Sequence, residues 1–131
     1  AEFAEKGICE DKERIALVLV RLMDVQVRDF AMGMTTEENI ETVWSMWRWL
    51  MKIAPVGYVA PVASIFAVTS YERGDGALAQ KALDRAFADD PGYSLAKLLR
   101  RTFAAGWPPS SFAQMRAELH PAICVKLFGQ E

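Results

Sequence analysis

The residue types that carry most enzyme chemistry are thin in this chain. His120 is the sole histidine, and Cys9 and Cys124 are the only cysteines, near opposite ends. A zinc site, or a Ser/His or Cys/His nucleophile pair, would have to use that one imidazole, and no Cys-x-x-Cys or His-x-x-x-His spacing supports it. The two thiols read as reduced cysteines of a cytoplasmic protein, with a disulfide tying the termini as the alternative. Gly74-Asp75-Gly76 has the small residues of a phosphate loop. It lacks the preceding strand, the following glycine and the Lys-Ser/Thr that such a loop needs, so a helix stop followed by an N-cap is the plainer reading. The acidic pairs Glu37-Glu38 and Asp89-Asp90 could in principle supply a general acid and base. Both are expected at helix ends, where carboxylates are electrostatically welcome, and no partner base accompanies them. No catalytic, cofactor-binding or metal-ligating residue is therefore assigned, and no cofactor is expected.

Recognition is better provided for. Trp44, Trp47 and Trp49 cluster with Arg48, and Trp and Arg dominate interface hot spots. Core packing accounts for Trp44 and Trp47, whereas Trp49 falls on another face of the same helix. Lys97, Arg100 and Arg101 make a basic strip on one helix, close in sequence to Trp107, that an anionic ligand or acidic peptide could use; a solvated helix face is the bland alternative. Arg48, Trp49, Lys97, Arg100, Arg101 and Trp107 are thus the candidate interaction surface.

What positions these residues is a succession of helices. The periodicity predicts helices over at least 37–53, 62–73, 76–88 and 92–105, with no sheet of more than two strands. The first helix starts near Asp11, which can cap it, and places Ile15, Val18, Leu19 and Leu22 inward, although IALVLV is also a respectable buried strand. A turn at Asp24 leads to a short helix carrying Val27, Arg28 and Ala31. Thr35 followed by Glu38 is a capping box opening the Trp-rich helix, which Pro55 ends. Pro61 suits the first turn of the next helix. Asp75 caps the one after, whose stripe is Leu78, Ala79, Ala82, Leu83, Ala86 and Phe87, with Gln80, Lys81, Asp84 and Arg85 on the wet side. Asp90 is expected to cap a helix opened by Pro91, with Leu95, Leu98, Leu99 and Phe103 inward and Lys97, Arg100 and Arg101 outward, stopped at Gly106-Trp107-Pro108-Pro109. A last helix from Ser110 or Ser111, interrupted at Pro121, folds back onto the body.

Bulk properties bound the partners. The chain has 131 residues, 52% of them hydrophobic, and a net charge of −2. That hydrophobic fraction lies slightly above the globular range of about 45–50%. The surplus is covered by a thorough core or by an apolar face that docks elsewhere. No broad basic field exists to hold a phosphate backbone, so nucleic acid is disfavoured. No apolar run approaches the roughly 20 residues needed to cross a bilayer. The expected organisation is a frayed segment over 1–10 and a single all-helical domain over 11–131. The opening AEFAEKG, without initiator Met or apolar leader, suggests a fragment of a longer protein.

Two local resemblances refine this. Ala67, Gly74, Ala79, Leu83, Ala86 and Pro91 stand at the intervals of a tetratricopeptide repeat, so Phe66 to Pro91 resembles one such hairpin. Ile15 to Gly33 resembles a HEAT hairpin, which implies that Asp24 and Arg28 stabilise turns and neighbouring helices. Over residues 15 to 109, the Asp-x-x-VRD-like segment, the Trp-rich helix, GDGALA, ALDRA, DDPGY, LAKLL and AAGWPP together resemble the C-terminal helical half of an actinobacterial family. That family is domain of unknown function four-one-nine-two. The resemblance implies an all-α architecture of stacked helical hairpins, as in a short α-solenoid or a right-handed α-α superhelix-like bundle, and names no chemistry.

The function expected on these grounds is a noncatalytic helical module for protein interaction or self-association. Its partner would be its own N-terminal region, a second copy as in a homodimer, or another chain. The alternatives are the regulatory or structural half of an enzyme whose catalytic residues lie in an absent N-terminal region, and a small-molecule pocket lined by Trp and Met.

Overall fold

The computed structural model describes residues 12–111, and among them there is no strand. Six helices follow one another: α1 Lys12–Arg21, α2 Val25–Gly33, α3 Ile40–Ile53, α4 Val59–Glu72, α5 Gly76–Asp89 and α6 Ser94–Ala104. The chain turns helical again over 109–111. The fold is all-helical, with helices packed as adjacent pairs. The IALVLV run, whose composition also suits a strand, lies within α1. Asp11, the frayed segment, the continuation of the last helix, Cys9, His120 and Cys124 lie outside the described residues.

The centre of the fold is α4. Every residue from Val59 to Ser70 is buried, as expected of a helix apolar on nearly all sides. Its principal neighbour is α5, and it also touches α3 and α6. Close approach to α5 is allowed by small side chains: Ala63 and Ala67 on one helix, Ala79 and Ala86 on the other, are all inaccessible to solvent. Phe66, Leu83 and Leu99 fill the volume between. The buried polar residues of α4 are satisfied locally or by α3. Ser64 and Thr69 donate to the carbonyls of Ala60 and Ile65 four residues back, at 2.8 and 2.9 Å. Ser70 Oγ accepts from Trp44 Nε1 at 3.0 Å.

Both ends of α4 are closed by partners. At its C-terminus Gly74 adopts φ +89, a conformation that L side chains resist. There the Arg73, Gly74 and Asp75 N–H groups donate to the carbonyls of Thr69, Tyr71 and Ser70, the pattern of a Schellman stop. Asp75 then caps α5 by accepting from the Leu78 N–H at 2.9 Å. At the N-terminus of α4 the cap comes from a distant residue. Asp89, the last residue of α5, accepts from the N–H groups of Gly57 at 2.6 Å and of Val59 and Ala60 at 3.1 Å.

Four expectations need correction. Thr35 and Glu38 do not cap α3, whose N-cap residue is Asn39; a reciprocal pair one residue on closes the turn before the helix, the Asn39 N–H donating to Thr36 Oγ1 and the Thr36 N–H to Asn39 Oδ1. Thr35 is buried instead. Asp90 does not cap α6, which begins at Ser94. Its carboxylate turns the chain by accepting from Gly92 N–H at 3.1 Å, because Pro91 and Gly92 occupy a turn before the helix. Asp89 does not sit at a welcoming end of its own helix, whose C-terminus disfavours a carboxylate; its favourable field is that of α4. Val18 is 40% exposed rather than inward; α1 turns Ile15 and Leu19 to the core, with Leu22 following in the turn.

Two substitutions test this account. Ala86→Leu should overpack the α4–α5 contact and lower stability by about 1–3 kcal/mol, whereas Lys81→Leu on the exposed side should stay within about 0.5 kcal/mol. Asp89→Ala leaves buried N–H groups unmet and should destabilise by about 1–3 kcal/mol, and Asp90→Ala by less than about 1 kcal/mol. Urea unfolding of the four variants measures both pairs. Equal effects within either pair would contradict the assigned contacts.

Candidate functional site

The six residues singled out from sequence do not converge on one site. Three of them, Lys97, Arg100 and Arg101 on α6, line a shallow hollow of about 310 Å³ together with Phe87 of α5. Arg48 and Trp49 line a second of about 220 Å³ with Ser45 and Lys52, all on α3. Trp107 lines neither; it is 46% exposed, and its carbonyl accepts from the Tyr71 hydroxyl.

In the first hollow the floor is a phenyl ring that also packs on the core. The Arg100 guanidinium lies 5.0 Å from that ring's centre. It is held there by donation to Asp84 Oδ1 at 2.7 Å and to the Gln80 carbonyl at 3.2 Å. Lys97 and Arg101 are exposed on the rim. Leu98, one turn from Arg101 on the same helix, is half exposed rather than inward as its spacing predicts, because Leu95, Leu99 and Phe103 already fill the face turned to the core. Rigid apolar surface is thereby bordered by positive charge.

The second hollow is different in kind. Trp47 is buried, while Trp44 and Trp49 are half-buried and packed against the core. Trp49 therefore offers only part of its indole to the surface. Arg48 lies over the Trp44 ring at 5.6 Å, and Arg73 over the same ring at 4.0 Å. Arg73 also grips Glu41 through two hydrogen bonds of 3.0 and 2.8 Å. These two residues border a larger cleft of about 430 Å³ with Glu37, Ile40, Glu72, Pro109 and Ser110. Among the described residues, no group of three or more His, Cys, Asp or Glu is arranged to hold a metal ion.

A partly buried ion cluster ties α2 to the turn before α6. Asp24 caps α2 by accepting from the Gln26 N–H at 2.8 Å and the Val27 N–H at 3.3 Å. One turn on, Arg28 donates to Asp29 at 2.8 and 3.0 Å and to the Tyr93 hydroxyl at 3.0 Å. Burial pushes the Tyr93 hydroxyl above its ordinary value, against the opposing pull of Arg28. Burial works to lower the pKa of Arg28, but the hydrogen bonds it donates to Tyr93 and Asp29, with the attraction of their charge, outweigh it and the value rises.

Sequence reasoning missed Phe87 as surface, having assigned it to the core stripe, and missed Tyr93 altogether. The available signal for Phe87 was its place three residues after Asp84, on the helix edge that must face the basic side of α6.

The Tyr93 shift has a pH consequence. The folded chain holds this proton more tightly than the unfolded one, so its contribution is constant below the unfolded value of about 10. Stability should then fall as pH rises through 10 and beyond. Tyr93→Phe should flatten that alkaline decline relative to wild type in urea titrations between pH 8 and 11; parallel curves would contradict the assignment.

Comparison with known proteins finds a family model described as domain of unknown function (DUF4192), matching residues 1–110. No curated protein and no solved structure matches.

Proposed function

We propose that this chain, which belongs to the DUF4192 family, is a noncatalytic helical module that binds protein, in the first instance a second copy of itself. The observation that carries this reading is the outer surface of the first hairpin. Leu17, Val20 and Met23 are each more than half exposed, and Val27 is 39% exposed. Leu17 and Val20 are neighbours on one helical face, and Met23 follows in the turn to α2. Side chains of this size are normally buried, and burying each is worth about 1.5–3 kcal/mol. Concentrated on the sparsely packed α1–α2 pair, they form an apolar surface of the kind that marks interaction sites.

The hairpins support the same reading. The α1–α2 pair is HEAT-like, with Asp24 and Arg28 at the stabilising places, and the α4–α5 pair is tetratricopeptide-like, with alanines at the helix crossing. Such units present helix faces to partner chains. The module is proposed to work in the cytoplasm of an actinobacterial cell; among the described residues no helix is long and apolar enough to cross a membrane.

Analytical ultracentrifugation tests it. Wild type should form a larger species whose proportion rises with concentration. The Leu17→Glu, Val20→Glu double variant should remain monomeric with unchanged helical circular dichroism. A wild type that is monomeric throughout would overturn self-association, and an assembly unchanged by the variant would remove α1–α2 as the surface.

A further inference from the structure

The proposed binding of a second copy leaves the hollow between α5 and α6 unused. Its composition is specific. The described arginines that point into helix junctions are committed: Arg28 to Asp29 and Tyr93, Arg73 to Glu41, Arg85 to the Met51 carbonyl, and Arg100 to Asp84 and the Gln80 carbonyl. Lys97 and Arg101 line the hollow, and among the described residues neither is paired with a carboxylate. Phe87 lines the same hollow, packed against the core and with the Arg100 guanidinium 5.0 Å from its ring centre.

We infer that this hollow is a docking site for an acidic peptide segment of a partner protein, one that places an aromatic or aliphatic side chain against Phe87 while flanking carboxylates meet Lys97 and Arg101. Charge complementarity sets the choice of occupant. Two cations beside an apolar floor attract carboxylates, and Arg100, already neutralised by Asp84, serves as a fixed wall. A volume of about 310 Å³ lies at the bottom of the range of about 300–1,000 Å³ for ligand pockets. A hollow this small and shallow holds one side chain of an extended segment rather than enclosing a whole small molecule. Leu98 extends the apolar contact along α6. The inference rests on the reading of the chain as a protein-binding module but uses a different surface from α1–α2.

Fluorescence anisotropy with the full chain and a labelled probe peptide tests it, the probe carrying a central phenylalanine flanked by glutamates. Saturable binding is expected, weakening as salt rises through the range where screening becomes effective. The Lys97→Glu, Arg101→Glu double variant should weaken it at least about tenfold, equivalent to about 1.4 kcal/mol. Both positions are exposed, so the thermal midpoint should be retained. A probe with alanine in place of phenylalanine should also lose about tenfold, which separates docking from bare charge attraction.

Equal binding of the alanine probe, or binding unaffected by charge reversal, would overturn the inference. Absence of saturable binding would overturn it too. In that last case, concentration-dependent sedimentation that responds to Leu17→Glu and Val20→Glu would leave the module reading standing; its absence would show that both had failed.

Discussion

The rest of the structure depends on one constraint: α4 is buried along nearly its whole length, so its polar groups must be met by protein rather than by water. A helix leaves four N–H groups unpaired at its start. Here the Tyr58 N–H donates to the Pro55 carbonyl, those of Val59 and Ala60 donate to Asp89, and Pro61 has none to place. The accounting closes without solvent. At the other end, positive φ at Gly74 brings three successive N–H groups onto α4 carbonyls. A buried unpaired group costs about 1–3 kcal/mol, comparable to a large share of the stability of a small domain. These closures are therefore a condition for placing the helix in the centre at all.

That condition dictates the arrangement of α5. An antiparallel partner puts its own C-terminus beside the N-terminus of α4, where the two helix dipoles bring opposite partial charges together. Asp89 sits at that junction. Its carboxylate is unfavourable to α5 and favourable to α4, and three hydrogen bonds decide the balance for α4. Alanines along the shared seam let the helices approach closely enough for a side chain as short as aspartate to reach across. Small residues in α5 and the distant cap are thus parts of one solution, and removing either loosens the other.

Much of this was legible in the chain because it obeys local rules. Gly74-Asp75 reads as a stop and a cap wherever it occurs, and the Ala79, Ala82 and Ala86 spacing marks a close helix contact before any partner is known. What was hidden depends on residues distant in sequence. Asp89 follows the wrong local rule for a C-terminus and makes sense only with Val59 and Ala60 about thirty residues earlier. Tyr93 is unremarkable until Arg28, 65 positions away, reaches it. The reciprocal pair fell one residue beyond the expected capping box because Thr35 is buried and Asn39, which no capping-box signature names, takes the place of Glu38. The candidate surface was legible as charge, in Lys97, Arg100 and Arg101. Its apolar floor was not, because Phe87 lies at the edge of a stripe that otherwise points inward.

Arginine usage separates charges that build the fold from those that remain available. Arg28, Arg73 and Arg100 share one design: each guanidinium is bonded to a carboxylate and lies beside an aromatic ring, with the partners Asp29 and Tyr93, Glu41 and Trp44, Asp84 and Phe87. Each set joins two elements: α2 to the turn before α6, α4 to α3, and α6 to α5. A single exposed ion pair adds only about 0–1 kcal/mol, but a planar cation that stacks and hydrogen-bonds together fixes an orientation that a lysine ammonium cannot. These three arginines are fittings between helices, and their charge is spent within the molecule. Lys97 and Arg101 lie beside one such fitting without being part of it. A rigid aromatic face, aligned by a neutralised arginine and bordered by two available cations, is therefore a consequence of how α5 and α6 are joined, and it places recognition chemistry on a surface whose geometry the core already holds.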